Sequence, residues 1–300
     1  MSVPKRHHVL PEKAYLKGFT TDGLLWVFDR NNKKFLHLAP RATAVRKDYY
    51  TLFDGLGNKD TTIENPVFSG IEGAAIPVIR KLEDRQEINL DDRMVLSLFV
   101  ACMFLRTPAF ERMHNTIGED LHRFRNRFIF NSPQKVQKML DALPESVQSD
   151  DLVTADELYE FVQKGEYNVK FHRNASLEMM LEMVMELTPI FARLDWIVNH
   201  STAETGFLTT DAPFIISPPP GSQLGFGSGI LVQGATKAIA LSRQLCLFMG
   251  DCGDFFAHRD MKGDEVKKNN LAFASRAERF IISSHERMLK DIVTTLGIEK

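Results

Sequence analysis

The chain has 300 residues, 44% apolar and 25% charged, enough for one large domain or two modest ones with a sizeable core. Lys and Arg (37) nearly balance Asp and Glu (39), which excludes the global basic field that drives nonspecific nucleic-acid binding and leaves only local polyanion contact open. The start, Met1-Ser2-Val3-Pro4-Lys5-Arg6, runs into His and Pro instead of an apolar stretch, so it does not read as a secretory signal and a cytoplasmic location is expected.

Arg6-His7-His8-Val9-Leu10-Pro11 is an arm without helical pattern, ahead of the aromatic-rich Tyr15-Leu16-Lys17-Gly18-Phe19, which is expected as a strand. Residues 24–28 and 34–38 are apolar runs around the Asn31-Asn32 turn and predict a β-hairpin. After Pro40 the apolar spacing changes to three and four, which predicts helices over residues 63–80, 90–105, 110–130 and 132–143. Asn89-Leu90-Asp91-Asp92 supplies an N-cap and first-turn acids to the second of these. Pro77 marks a kink and Pro108 a helix boundary. The strongly apolar stretch 94–105 is well below the roughly 20 residues that span a bilayer, so it reads as a buried helix and no membrane partner is expected.

Asp150-Asp151 begins an acidic, turn-prone stretch that enters a short helix, with Thr154 as N-cap and Glu157 completing a capping box. A Met-rich helix over 176–194 precedes short strands at 196–198, 207–209, 214–216, 238–241 and 245–249. A helix over 264–274, a strand over 279–283 and a terminal helix reaching about 296 complete the chain. The pattern predicts an α+β fold: a helical N-terminal half with a β-hairpin arm, and a C-terminal, mainly antiparallel sheet flanked by helices. One domain is expected over 1–300, with arm and hairpin in 1–60, a helical part in 61–150 and a helix-plus-sheet part in 151–300. The hairpin is placed to pack with the C-terminal sheet. Cys102, Cys246 and Cys252 form no Cys-x-x-Cys pair; reduced structural thiols are expected, with Cys252 the exposed one.

His7 and His8 are the first candidates for chemistry, because imidazole changes charge near neutral pH. Neighbours in an extended arm point to opposite faces, so at most one reaches a given site, and the pair does not define a metal site. Asp211, in Thr209-Thr210-Asp211-Ala212-Pro213, stands on a turn at a strand end, where binding and catalytic carboxylates are often placed; an Asx-turn is the structural alternative. Arg106, in Arg106-Thr107-Pro108, either satisfies a helix C-terminus or projects its planar fork towards a carboxylate or phosphate. Glu72 lies among Ile71, Ala74 and Ala75 and needs a partner, for which Arg106 is the natural candidate.

These islands, His-His-x-x-Pro, Ile71-Glu72-Gly73-Ala74-Ala75, Arg106-Thr107-Pro108, Thr210-Asp211-Ala212-Pro213 and the late Asn270, together resemble the bacterial domain of unknown function 4238 family. Two departures are Met103, where that family often has Gln, and a spacer between Pro11 and Tyr15 one residue longer than usual. The resemblance implies that His7, His8 and Asp211 carry any chemistry, while Arg106, Thr210, Asn270 and Glu72 hold the substrate. It settles no activity. The favoured expectation is a hydrolase or transferase for a small anionic substrate, phosphate or acyl. The rivals are a non-catalytic sensor for such a ligand and a nuclease-like defence or toxin protein, since His-His-x-x-Pro also resembles the first strand of His-Asn-His nucleases over five residues. Cofactor and oligomeric state stay open.

Three further features read as structural. His122 to Phe128 interleaves cations and aromatics but separates them onto different helix faces. Met179, Met180, Met183 and Met185 suit core filling. The stretch from Pro218 to Gly229 lacks the Gly-Lys-Ser/Thr ending of a phosphate loop and fits a mobile lid near Asp211.

Overall fold

The computed structural model describes residues 7–46, 49–53, 58–144, 153–169, 171, 173–222 and 229–299. Arg6, Asp150-Asp151 and the centre of the expected lid, 223–228, lie outside them. Two compact units divide the chain: Met1–Phe110 with Leu177–Lys300, and Glu111–Ser176.

In the first unit, β1 (His7–His8) leads to a 3-10 turn at Leu16–Phe19, where a strand was expected. The reason is burial on consecutive positions: Tyr15, Leu16 and Phe19 are all inside, which period-two alternation cannot deliver. The hairpin β2 (Leu25–Asp29) and β3 (Lys34–Leu38) forms around the Asn turn, with Asp29 accepting from the backbone N–H of Asn31 and Asn32. Short strands β4 (Val45–Arg46), β5 (Leu52–Phe53) and β6 (Lys59–Asp60) follow, β1 pairing with β4 and β5 with β6.

The helix expected over 63–80 is broken. Asn65, held extended before Pro66 (φ −146°, ψ 115°), interrupts the wide-turned segment Ile63–Phe68, which runs on without a further break into α1 (Ser69–Glu83). Next, α2 (Leu90–Leu105) starts at Asn89, whose side chain accepts from Asp92 N while Asp92 reaches back, and ends where expected at Arg106. Pro108 opens α3 (Pro108–Ile129), a favourable first-turn position for a residue without an N–H.

The second unit takes α3 from Glu111 onward, α4 (Pro133–Asp141) and α5 (Ala155–Lys164), the last capped by Thr154 and Glu157 as expected. Gly118 leaves room for the Phe171 ring there: a Cβ would lie 2.6 Å from it, so a larger residue would have to displace that ring. Arg123 donates to Tyr167 O at 2.9 Å, and the Gln163 amide donates to Phe130 O at 2.8 Å.

The chain continues with α6 (Arg173–Ala192), and from Leu177 it belongs again to the first unit. There β7 (Leu194–Ser201), β8 (Thr209–Thr210), β9 (Phe214–Ser217), β10 (Thr236–Ala240), β11 (Leu245–Cys252), β12 (Phe256–Met261), α7 (Gly263–Ser275), β13 (Phe280–Ser283) and α8 (Glu286–Thr295) follow. Two sheets result. The larger has the order β12-β7-β11-β10-β9, antiparallel except for β12 on β7; the smaller has the order β3-β2-β13-β8 and is wholly antiparallel. The N-terminal hairpin therefore joins C-terminal strands, as expected for an α+β fold. Tyr15 ties the sheets together: its hydroxyl donates to Ala240 O at 2.7 Å and shares a hydrogen bond with Thr209 Oγ1 at 2.7 Å. Cys102 and Cys246 are buried and Cys252 is exposed, all unpaired.

Candidate functional site

The arm is part of the core rather than an appendage. His7 and Leu10 are fully buried and Val9 nearly so, while His8 faces the other way and is half-buried. His7 pairs with Arg46 and His8 with Val45, and Val9 N donates to Ala44 O at 2.9 Å. His7 Nδ1 accepts the Tyr50 backbone N–H at 2.8 Å, which imposes the Nε2–H tautomer, and its ring lies parallel to that of Tyr50. The His8 ring sits 3.2 Å from Arg41 O.

Arg106 gathers the elements. It caps α2, where the helix leaves its last carbonyls open, and its side chain is only 2% exposed. Nη1 donates to Glu72 Oε1 at 2.8 Å, Nη2 to His8 O at 2.6 Å and Nε to the Tyr50 hydroxyl at 3.2 Å. Tyr50 in turn donates to Arg106 O at 3.0 Å. The guanidinium also lies over the Phe68 ring at 4.5 Å. Burial opposes its charge, but Tyr50 and Glu72 outweigh it and raise its pKa further. Burial pushes the Tyr50 phenol up to about 12, so it stays protonated. Arg106 pairs with Glu72 as expected, but the buried partner is the guanidinium: the Glu72 side chain is 22% exposed and Ala74 faces solvent.

Glu64 completes the cluster. The break at Asn65 carries it on the wide turn ahead of α1, where its Oε2 is buried without a hydrogen-bond partner. Burial pushes its carboxyl up to about 7; Arg106 opposes this, Glu72 adds to it, and a hydrogen bond from the His8 backbone opposes it. Two carboxyls therefore share one cation, and only Glu72 is bonded to it. Glu64 and Tyr50 escape the sequence reading. The available signals are Glu64 before Asn-Pro among Ile63, Val67 and Phe68, and the adjacent pair Tyr49-Tyr50.

Asp211 is a backbone staple. Its Oδ1 accepts from Glu278 N at 3.0 Å and Arg279 N at 3.3 Å, and its Oδ2 from Arg279 N at 2.9 Å, closing the turn into β13. Burial raises its pKa, and the backbone N–H groups of Arg279, Phe280 and Asp211 itself, with the Arg46 charge, oppose the rise. Thr210 Oγ1 accepts from Ala212 N at 3.2 Å, a local turn bond. Asp211 borders a water-sized cleft of about 30 Å³ with Val9, Arg46, Pro108 and Arg279. It thus lies beside the arm, with its own acceptors spent.

Asn270 serves another region. Its Oδ1 accepts from Leu208 N at 3.0 Å and its Nδ2 donates to Gly206 O at 2.9 Å, so the amide imitates a peptide group across the 206–208 segment. Gly206 has φ +65° and a Cβ there would lie 2.0 Å from Arg243 O, so no other residue fits. Asn270 borders a cleft of about 360 Å³ with an apolar floor that includes Val266, Met288 and Ile292, and with Lys267, Arg287 and Asp291 on its rim. That cleft shares no lining residue with the arm junction.

The structure thus brings together His7, His8, Glu72 and Arg106, sets Asp211 and Thr210 beside them, and puts Asn270 at a different cleft. Among the described residues, no group of three or more His, Cys, Asp or Glu is placed to hold a metal ion. His37, on β3, stacks on Trp26 with ring centroids 4.2 Å apart.

Residues 6–287 match the family described as protein of unknown function (DUF4238), and the chain belongs to it. No curated protein and no solved structure matches the chain. No single helix among the described residues is long and apolar enough to cross a membrane.

Proposed function

We propose that the junction of arm, α1 and α2 is the chemical centre of a cytoplasmic hydrolase or group-transfer enzyme in which Glu64 moves the proton. The observation that carries this reading is the buried Glu64 Oε2 without a partner, next to an ion pair whose members already have theirs. A carboxyl that titrates near neutrality has both forms at hand, as a general acid or base needs. Arg106 directs three of its five N–H donors at Glu72, His8 O and the Tyr50 hydroxyl, which fits a positioning residue better than an anion clamp. Two carboxyls around one engaged guanidinium favour an acyl substrate, ester or amide, over a phosphate. In that reaction the Glu64 carboxylate takes a proton from the water that adds to the carbonyl and returns it to the departing oxygen or nitrogen as the acyl bond breaks. Three unpaired cysteines fit a reducing compartment.

The test is a turnover screen of wild type and Glu64→Gln against esters, amides, phosphodiesters and nucleotides, with and without divalent metal. Acyl turnover by the wild type, lowered about 10²- to 10⁴-fold in a folded Glu64→Gln variant, is expected. A uniformly negative screen would end the enzyme reading. The second reading is a non-catalytic protein binding a small anionic ligand, and the cleft bordered by Asn270, Lys267 and Arg287 favours it. Calorimetric titration with inorganic phosphate and short carboxylates, repeated with Arg287→Ala, separates that reading from the first.

A further inference from the structure

The outward face of α3 is apolar. Met113, Ile117, Leu121, Phe124 and Phe128 are 48–72% exposed and recur at steps of four, four, three and four, so they share one stripe. The other sides of the helix are used within its own unit, by Phe171 over Gly118 and by Tyr167 on Arg123. The stripe exposes on the order of 600 Å² of apolar surface, at the upper end of what soluble monomers leave in water. Two copies face to face would bury about 1,200 Å², the lower bound for a specific interface. From Ile117 onward the alternation is that of a helix–helix seam.

Charge selects the occupant and its direction. Over 111–120 the acids Glu111, Glu119 and Asp120 outnumber Arg112, whereas 121–129 holds Arg123, Arg125 and Arg127 and no acid. A parallel copy would gather six arginines; an antiparallel copy sets acidic half against basic half at both ends. With Leu121 opposite Phe124 and Ile117 opposite Phe128 of the second copy, Asp120 falls beside Arg127 of that copy, twice by symmetry. Asp120 is 71% exposed, and its pair with Arg123 in its own helix is long, 3.5 Å, so exchanging it for a contact across the seam costs little.

We propose that the α3 stripe is the interface of an antiparallel, two-fold symmetric dimer of this chain. Sedimentation velocity of the full chain over a concentration series tests it. A wild-type dimer is expected, monomeric in Leu121→Glu with unchanged helical circular dichroism. Asp120→Arg should raise the dissociation constant about tenfold, and adding Arg127→Asp should restore it where adding Arg125→Asp does not. A wild type monomeric throughout, a dimer indifferent to Leu121→Glu, rescue by Arg125→Asp, or a monomer that binds anionic lipid vesicles through Leu121 would each overturn the proposal.

Discussion

Arg106 bonds Glu72 at 2.8 Å and gives Glu64, the other carboxyl of the cluster, only its field. That asymmetry separates a structural ion pair from a carboxyl poised to exchange a proton.

The ion pair should behave as a buried one on the Arg106 side. Arg106→Ala strands Glu72, the Tyr50 hydroxyl and His8 O together, and a loss of about 3 to 5 kcal/mol is expected in chemical denaturation. Arg106→Lys should recover little of it, since an ammonium cannot replace three diverging donors. Glu72→Gln/Arg106→Met should cost less than the sum of the single changes; additive losses would contradict the pairing.

Glu64 makes stability pH-dependent. The folded protein holds its proton more tightly than the unfolded chain, where the ordinary value is 4.5. Its contribution is therefore fully present below about 4.5 and is lost as pH rises through about 7. Glu64→Gln, neutral at every pH, should be more stable than wild type by about 1 to 3 kcal/mol above neutrality and equal to it in acid. Denaturant midpoints across pH check this.

Asp211→Asn should destabilise by about 1 to 3 kcal/mol, because an amide offers one acceptor where the carboxylate meets the N–H groups of Glu278 and Arg279 with two oxygens. If the folded variant keeps full turnover, the role of this residue is structural, as the geometry indicates.

Asn270→Asp should be worse tolerated than Asn270→Ala, since a carboxylate oxygen would replace the donor to Gly206 O. Gly206→Ala should prevent folding outright, with a Cβ driven into Arg243 O. Thermal melts of the three variants rank them.

Regular elements were legible where local rules agree. Asn89 and Asp92 box the start of α2, Thr154 and Glu157 that of α5, and the two hairpin strands flank their Asn turn. Beyond the meeting of the hairpin with C-terminal strands, long-range pairing was not. Strand β12 was missed because Arg259 and Asp260 break its apolar pattern, and β1 with β4 because each is two residues long and exists only through the other. The site was half legible. Glu72 announces its need for Arg106 through Ile71, Ala74 and Ala75, but Glu64 is buried by a chain break and by the arm, both remote consequences of folding. Asp211 and Asn270 look like site residues in one dimension because side chains that staple backbone and side chains that bind ligands are the same types.

The most direct test is a carbon-13 NMR titration of glutamate-labelled protein, with the Glu64 carboxyl resonance assigned by its absence in Glu64→Gln. A midpoint near 7 is predicted. A midpoint near the ordinary 4.5 would show that this carboxyl is solvated and paired, and would remove the acid/base role assigned to it.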